Sequence, residues 1–195
     1  MEIHVKLLLE IARRIDAINE AIGRAAAWLV VVAVVVSAGN ALVRYALNMG
    51  SNAWLELQWY LFAAVFLLGA AWTLRRNEHI RIDVAVSRLS PRVHAWIDIF
   101  GGLFFLLPTC LVILASAIPF AIDSFQSGEV STNAGGLIIW PAKILIPCGF
   151  ILLTLQAFSE IVKRFAYLVG LIDCAEFEKG YQHQSIDSDG TAVTH

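Results

Sequence analysis

Charge is what this chain has least of. Only 15% of its 195 residues are Asp, Glu, Lys or Arg, while 58% are hydrophobic, and the mean hydropathy is +0.70. A soluble domain is about a quarter charged and roughly half apolar, so a water-solvated globule is excluded as the main organisation. The net charge of −2 gives no basic surplus that would favour nucleic acid. The three cysteines, Cys110, Cys148 and Cys174, form neither a metal-binding spacing nor a disulfide framework and are read as small buried hydrophobes. None of the five histidines (His4, His79, His94, His183, His195) lies in the interior of an apolar block, which argues against a haem held by axial histidines. No charge falls at the middle of a block and no internal repeat is visible. A transporter with its own midplane site ordinarily shows paired broken helices from repeated halves. No His or Asp pairs with a serine at membrane depth, so intramembrane proteolysis is excluded as well. The expectation is no catalytic residue, no cofactor, no metal and no enzymatic activity.

What the chain does have is four apolar blocks, about residues 28–45, 54–74, 93–122 and 137–162. A hydrocarbon core of about 30 Å takes about 20 helical residues to cross. The valine-rich run from Val30 to Val36 would favour a strand in water. In lipid an open strand leaves its backbone groups unpaired, so helix is expected throughout. The third block is long enough to tilt or protrude. Ser90-Pro91 marks its start, as an N-cap followed by proline in the first turn. Pro108, Pro119, Pro141 and Pro147 are expected to bend the last two helices, unless those near the ends only mark boundaries. The first block follows 27 mixed-charge residues, which is unlike a cleaved signal peptide.

Basic residues set the orientation. Of 14, only Arg44 and Lys143 lie outside three groups: before the first span, between the second and third, and after the fourth. Both termini are therefore expected on the cytoplasmic side. Trp28, Trp72 and Trp96 fit inner interfaces, and Trp54 and Trp140 fit outer ones. Residues 1–22 carry Leu8, Ile11, Ile15, Ile18 and Ile22 in steps of three and four, with Asp16, Asn19 and Glu20 on other faces. They read as an amphipathic helix lying on the inner membrane surface or packed on a partner. Residues 23–165 form the four-span domain, and residues 166–195 a polar cytoplasmic tail. The fold expected is an all-α membrane protein of four transmembrane helices, N-in and C-in, with an N-terminal amphipathic interfacial helix.

Polar groups inside spans each need a reason. Ser37, Asn40 and Arg44 share a face of the first helix. They are read either as part of a solute path or, preferably, as a seam in which Arg44 meets Glu56 across the short outer loop. Asp98, Gly102, Thr109 and Ser116 make a small-and-polar face suited to close helix packing, with Asp98 placed to pair with an arginine. The loop Arg75–Asp83, with Arg76, His79 and Arg81, is read as a topological anchor that touches lipid headgroups or a partner. The outer loop near Asp123 and Glu129 is read preferentially as a solvated connection, with docking of an extracytoplasmic partner as the alternative.

Arg44-Tyr45, Trp54-Leu55-Glu56, Tyr60-Leu61-Phe62, Leu68-Gly69-Ala70-Ala71 and the loop from Arg75 to Asp83 stand in an order and spacing, over roughly residues 20–165, that resembles the small membrane subunit (DctQ-type) of tripartite ATP-independent periplasmic (TRAP) transporters. One departure is Leu57, where many members carry a second acid after Glu56. The resemblance implies a scaffold in the bacterial inner membrane. Its partners would be a large multi-span subunit (DctM-type), a periplasmic substrate-binding protein (DctP-type or similar) and membrane lipids. It implies sodium-coupled import of an organic acid, often a carboxylate, with the substrate and ion sites in the large subunit. The contact candidates are then Ser37, Asn40, Arg44, Trp54, Glu56, Arg75, Arg76, His79, Arg81, Asp83 and Asp98, with Asp123 and Glu129 for binding-protein docking. The competing readings are a stand-alone four-span exporter, which would want a membrane-embedded acid for proton exchange, and a membrane anchor of another complex.

Overall fold

The computed structural model describes residues 2–48, 50–76 and 90–171. His79, Arg81 and Asp83, in the loop between the second and third spans, and the tail from residue 172, lie outside the described residues. The elements are α1 (Glu2–Leu47), α2 (Asn52–Arg75), α3 (Pro91–Gly101), a π-helical turn (Gly102–Leu106), α4 (Leu107–Ser127) and α5 (Trp140–Leu168). With Pro91–Ser127 counted as one span, four helices among the described residues are long and apolar enough to cross a membrane. Ser90 occupies the N-cap position of α3, without a side-chain capping bond, and Pro91 follows in the first turn, where the sequence puts the start of this helix. Pro141 stands in the first turn of α5 and marks a boundary, whereas Pro119 and Pro147 lie inside their helices.

The interior is built from small side chains. Ala12, Ala26, Ala33, Ala71, Ala95, Ala157 and Ala166 are buried, while Leu42, Tyr45, Phe66 and Val112 stand exposed on the outside. This inverts the pattern of a soluble core. Lipid tails solvate large apolar side chains as well as a protein interior does, so helices gain by close approach and van der Waals contact instead. Gly149 shows how close: a Cβ there would lie 2.7 Å from the Leu67 carbonyl oxygen of α2. α5 packs against α1, α2, α3 and α4, and α1 packs along α2.

α1 is continuous. Its 46 residues at 1.5 Å each give a rod of about 69 Å, more than twice a hydrocarbon core. The amphipathic segment and the first span are thus a single helix. Its buried face also differs from the expected one. Val5, Ala12, Asn19, Ala26 and Ala33 are buried at intervals of seven, joined by Asp16, while Leu8, Ile11 and Ile18 are exposed. Asp16 and Asn19, assigned to outward faces from periodicity, are inside because α5 supplies their hydrogen-bond partners.

The π-turn corrects a second assignment. Asp98 and Gly102 do face α5, and a Cβ on Gly102 would lie 3.0 Å from Ile161. Thr109 and Ser116 are exposed, and the buried seam continues as Cys110, Ala117 and Ser124. A π-turn holds one residue more than an α-turn, so every later position on the face moves along by one. Its neighbour Pro108 has no N–H to give to the α-helical ladder.

Candidate functional site

The densest chemistry lies at the basic end of the bundle, where all four spans meet through side chains. On α5, Gln156, Ser159, Glu160, Lys163 and Arg164 fall in one stripe by steps of three and four. On α1, Asp16, Asn19 and Glu20 do the same. Gln156 Nε2 donates to Asp16 Oδ1 (2.8 Å) and Glu160 Oε1 (3.0 Å), and its Oε1 accepts from Asn19 Nδ2 (2.7 Å). Ser159 Oγ lies 2.8 Å from Asp16 Oδ1. Lys163 Nζ reaches Asp16 Oδ2 at 3.0 Å and also pairs with Glu160.

From there the network spreads to the other helices. Arg164 is 6% exposed; its Nε meets Asp98 Oδ2 at 2.9 Å, and its other arm pairs with Glu160. Arg75 at the end of α2 pairs with Glu20 and lies 3.9 Å from Asp16, and Arg24 reaches Glu20 at 3.1 Å. Four acids (Asp16, Glu20, Asp98, Glu160) thus face four bases (Arg24, Arg75, Lys163, Arg164). Buried charges survive only when paired and hydrogen-bonded, and the buried ones here, Asp16, Glu160 and Arg164, all are. Trp72 packs over Gly23, and the Arg76 guanidinium lies 4.4 Å from its ring centroid, so this tryptophan is an interhelical wedge rather than a lipid-facing belt residue. A cavity of about 270 Å³ opens beside Asp98, Gly102, Ile161 and Arg164.

Of this network the sequence reading singled out only Asp98 and Arg75 as contact candidates, and Asp98 does meet an arginine. It missed Asp16, Asn19, Gln156, Ser159, Glu160 and Arg164 as partners. The available signal was the polar stripe Gln156–Ser159–Glu160–Lys163 inside an apolar block, aligned with a polar stripe on α1.

The opposite end is organised by Glu56. It is 5% exposed and accepts from Leu137 N (2.7 Å), Asn133 Nδ2 (2.8 Å) and Ser131 Oγ. These three donors belong to a small hairpin closed by Ser131 N to Leu137 O (2.9 Å) and Ile139 N to Glu129 O (3.0 Å). Gly135 turns it with φ 72°, a left-handed value that glycine adopts without strain. Asn52 Nδ2 adds a bond to Ala134 O (3.0 Å) and Tyr60 OH one to Ile138 O (3.3 Å). The expected Arg44–Glu56 pair is therefore replaced. Backbone and amide donors already surround the carboxylate, and Arg44 faces an open groove with Ser37 and Asn40. Nor is this loop a plain solvated connection. Glu129 pairs with Lys143 and accepts from Ser124 Oγ (2.7 Å), and these partners hold its carboxyl below the usual carboxylate range. Asp123 and Trp54 are exposed.

Residues 32–166 match the family model described as "Tripartite ATP-independent periplasmic transporters, DctQ component". The chain is also similar to a Haemophilus influenzae protein assigned, by name alone, as a TRAP transporter small permease. The two are 28% identical over 105 residues, covering 54% of this chain and 65% of that protein's length. No solved structure matches. A membrane protein of four long apolar helices, matched over most of its length by one family model, this chain belongs to the DctQ family of TRAP transporter components.

Proposed function

We propose that this chain is the small scaffold subunit of a sodium-coupled secondary transporter that imports an organic acid delivered by a periplasmic binding protein. In this reading it holds a large multi-span (DctM-type) subunit in place. Family membership supports it, and one structural observation carries it: a charge-balanced network ties all four spans together at the basic end. A translocating unit needs two discrete arrangements, whereas this network links α1, α2, α3 and α5 in one and favours a rigid frame. In this reading both termini lie on the cytoplasmic side of the bacterial inner membrane, which the distribution of basic residues supports. Residues 1–22 then extend α1 as a brace at the inner surface, residues 23–165 are the membrane domain, and residues 166–195 a cytoplasmic tail. Arg75, Arg76 and the loop with His79, Arg81 and Asp83 sit at the inner headgroups. Asp123 and the hairpin carrying Glu129 face the periplasm, where the binding protein docks.

The test is co-purification in mild detergent, with mass spectrometry of the partners, followed by uptake in vesicles. A large multi-span protein in about equal amount, and sodium-dependent uptake only when both are present with the binding protein, are the expected results. A chain that purifies alone and moves solute alone would overturn the scaffold and favour an exporter.

A further inference from the structure

Ser37, Asn40 and Arg44 recur along the second half of α1 in steps of three and four, and Asn48 follows directly after its last residue. With Leu55 and Gln58 of α2 they line an open groove of about 590 Å³. Among the described residues, none of its polar side chains Ser37, Asn40, Arg44, Asn48 or Gln58 forms a hydrogen bond or ion pair within the chain. Many other polar positions in the spans do have partners within the chain. Thr73, Ser116 and Thr154 return their hydroxyls to the carbonyl one turn back. Glu56 is saturated by the hairpin, and the basic-end acids all have bases. For Ser37 and Asn40, which lie inside the span, an unmade hydrogen bond is costly, because lipid offers no replacement; Arg44 and Asn48 stand at its end. Elsewhere among the described residues the buried side-chain atoms without a partner are single ones, Asn19 Oδ1 and Trp72 Nε1, whereas here five polar side chains stand open in one groove.

The geometry points to this groove as the seat of a transmembrane helix from the large subunit. That helix would carry a carboxylate level with Arg44 and an amide or hydroxyl about 6 Å deeper, opposite Asn40. The inference rests on the scaffold reading above and names where and by what chemistry the two subunits join. The cation is an arginine, whose planar fork takes a carboxylate through two parallel bonds. A phospholipid is the other source of an anion at this level. Its phosphate would satisfy Arg44, but its acyl chain would run past Ser37 and Asn40, about 6–10 Å further in, with nothing to offer them. A helix satisfies both levels, and the small side chain of Ala41 lets its backbone come close.

The test uses the complex purified in mild detergent, with a photo-crosslinking amino acid at position 41 and the variants R44E, R44K and N40L. The expected result is a crosslink from position 41 to the large subunit. R44E should cut the recovered large subunit by about tenfold or more, R44K and N40L by less, with the amount and helicity of the chain itself unchanged. A carboxylate-to-arginine change in the large subunit that restores R44E would identify the partner residue. Full recovery with R44E and no crosslink to protein would sink the groove while leaving the scaffold reading standing. A crosslink to phospholipid instead would assign the groove to lipid and overturn the inference. Failure of the unsubstituted chain to recover any multi-span protein would overturn the scaffold reading and this inference with it. Because the crosslinking arm keeps Arg44 in place, it decides the matter even if R44E fails to fold.

Discussion

Gln156 Nε2 donates to Asp16 Oδ1 at 2.8 Å across 140 residues of sequence, joining the first and last helices at a point sealed from solvent. The same amide touches Glu160 and receives Asn19, so one neutral side chain links two carboxylates. Its neighbours then decide which changes the frame tolerates.

Arg164→Leu removes the base shared by Asp98 and Glu160; Glu160 keeps Lys163 and Gln156, while Asp98 loses its ion pair beside a cavity. Stranding one partner of a buried pair costs about 3–5 kcal/mol. The melting temperature of the purified protein should fall sharply. An Arg164→Leu, Asp98→Leu double variant should lose less than the sum of the two single variants. Additive losses would show that the pair is not coupled.

Gly149→Ala places a methyl group 2.7 Å from the Leu67 carbonyl oxygen, a backbone atom that cannot swing aside. Overpacking of this kind costs about 1–3 kcal/mol. Gly69→Ala, in the partner helix but with nothing within 4 Å of its added Cβ, should be neutral or stabilising. Thermal unfolding in the same detergent compares them directly.

The π-turn makes a register prediction. Ala117 is buried and Ser116 exposed. Ala117→Phe should therefore cost about 1–3 kcal/mol by overpacking, while Ser116→Phe should change the melting temperature little. The reverse order is what an unbroken α-helix would give.

Glu56→Ala strips the hairpin of the acceptor for Ser131, Asn133 and Leu137. Amide exchange at Leu137 should speed up by about tenfold or more, with exchange in the middle of α5 unchanged. If co-purification of the large subunit falls while Leu137 stays protected, Glu56 acts on the partner directly and not through the loop.

Glu129 supplies a pH prediction. Lys143 and Ser124 hold its carboxyl below the usual value near 4.5. A depressed acid contributes stability that is complete above the unfolded value and is lost as pH falls through the folded one. The hairpin should stay protected at about pH 5 and open only in stronger acid. Lys143→Met should move that opening upward towards the ordinary carboxylate range, as read by exchange at Ser131 and Ile139.

The four spans and the Ser90-Pro91 start were legible because lipid imposes a length and a composition that sequence displays directly. Asp98 was legible as the partner of an arginine, because a lone acid at an interface needs one. Asp16 and Asn19 were not legible as buried residues. In an amphipathic segment they resemble a solvated face, and their partners Gln156 and Ser159 lie in another apolar block. The shift from Thr109 to Cys110 was hidden because a one-residue π insertion leaves no trace in composition. Arg44 and Glu56 were matched by proximity and charge alone. The hairpin's backbone donor Leu137 N, which carries no signature in a side-chain reading, was missing from that comparison.

The balance of four acids against four bases at the basic end has an electrical consequence. Moving one elementary charge through the membrane potential takes about 2.3 kcal/mol per 100 mV. A network whose charges sum to zero offers the field nothing to pull on when it shifts as a unit.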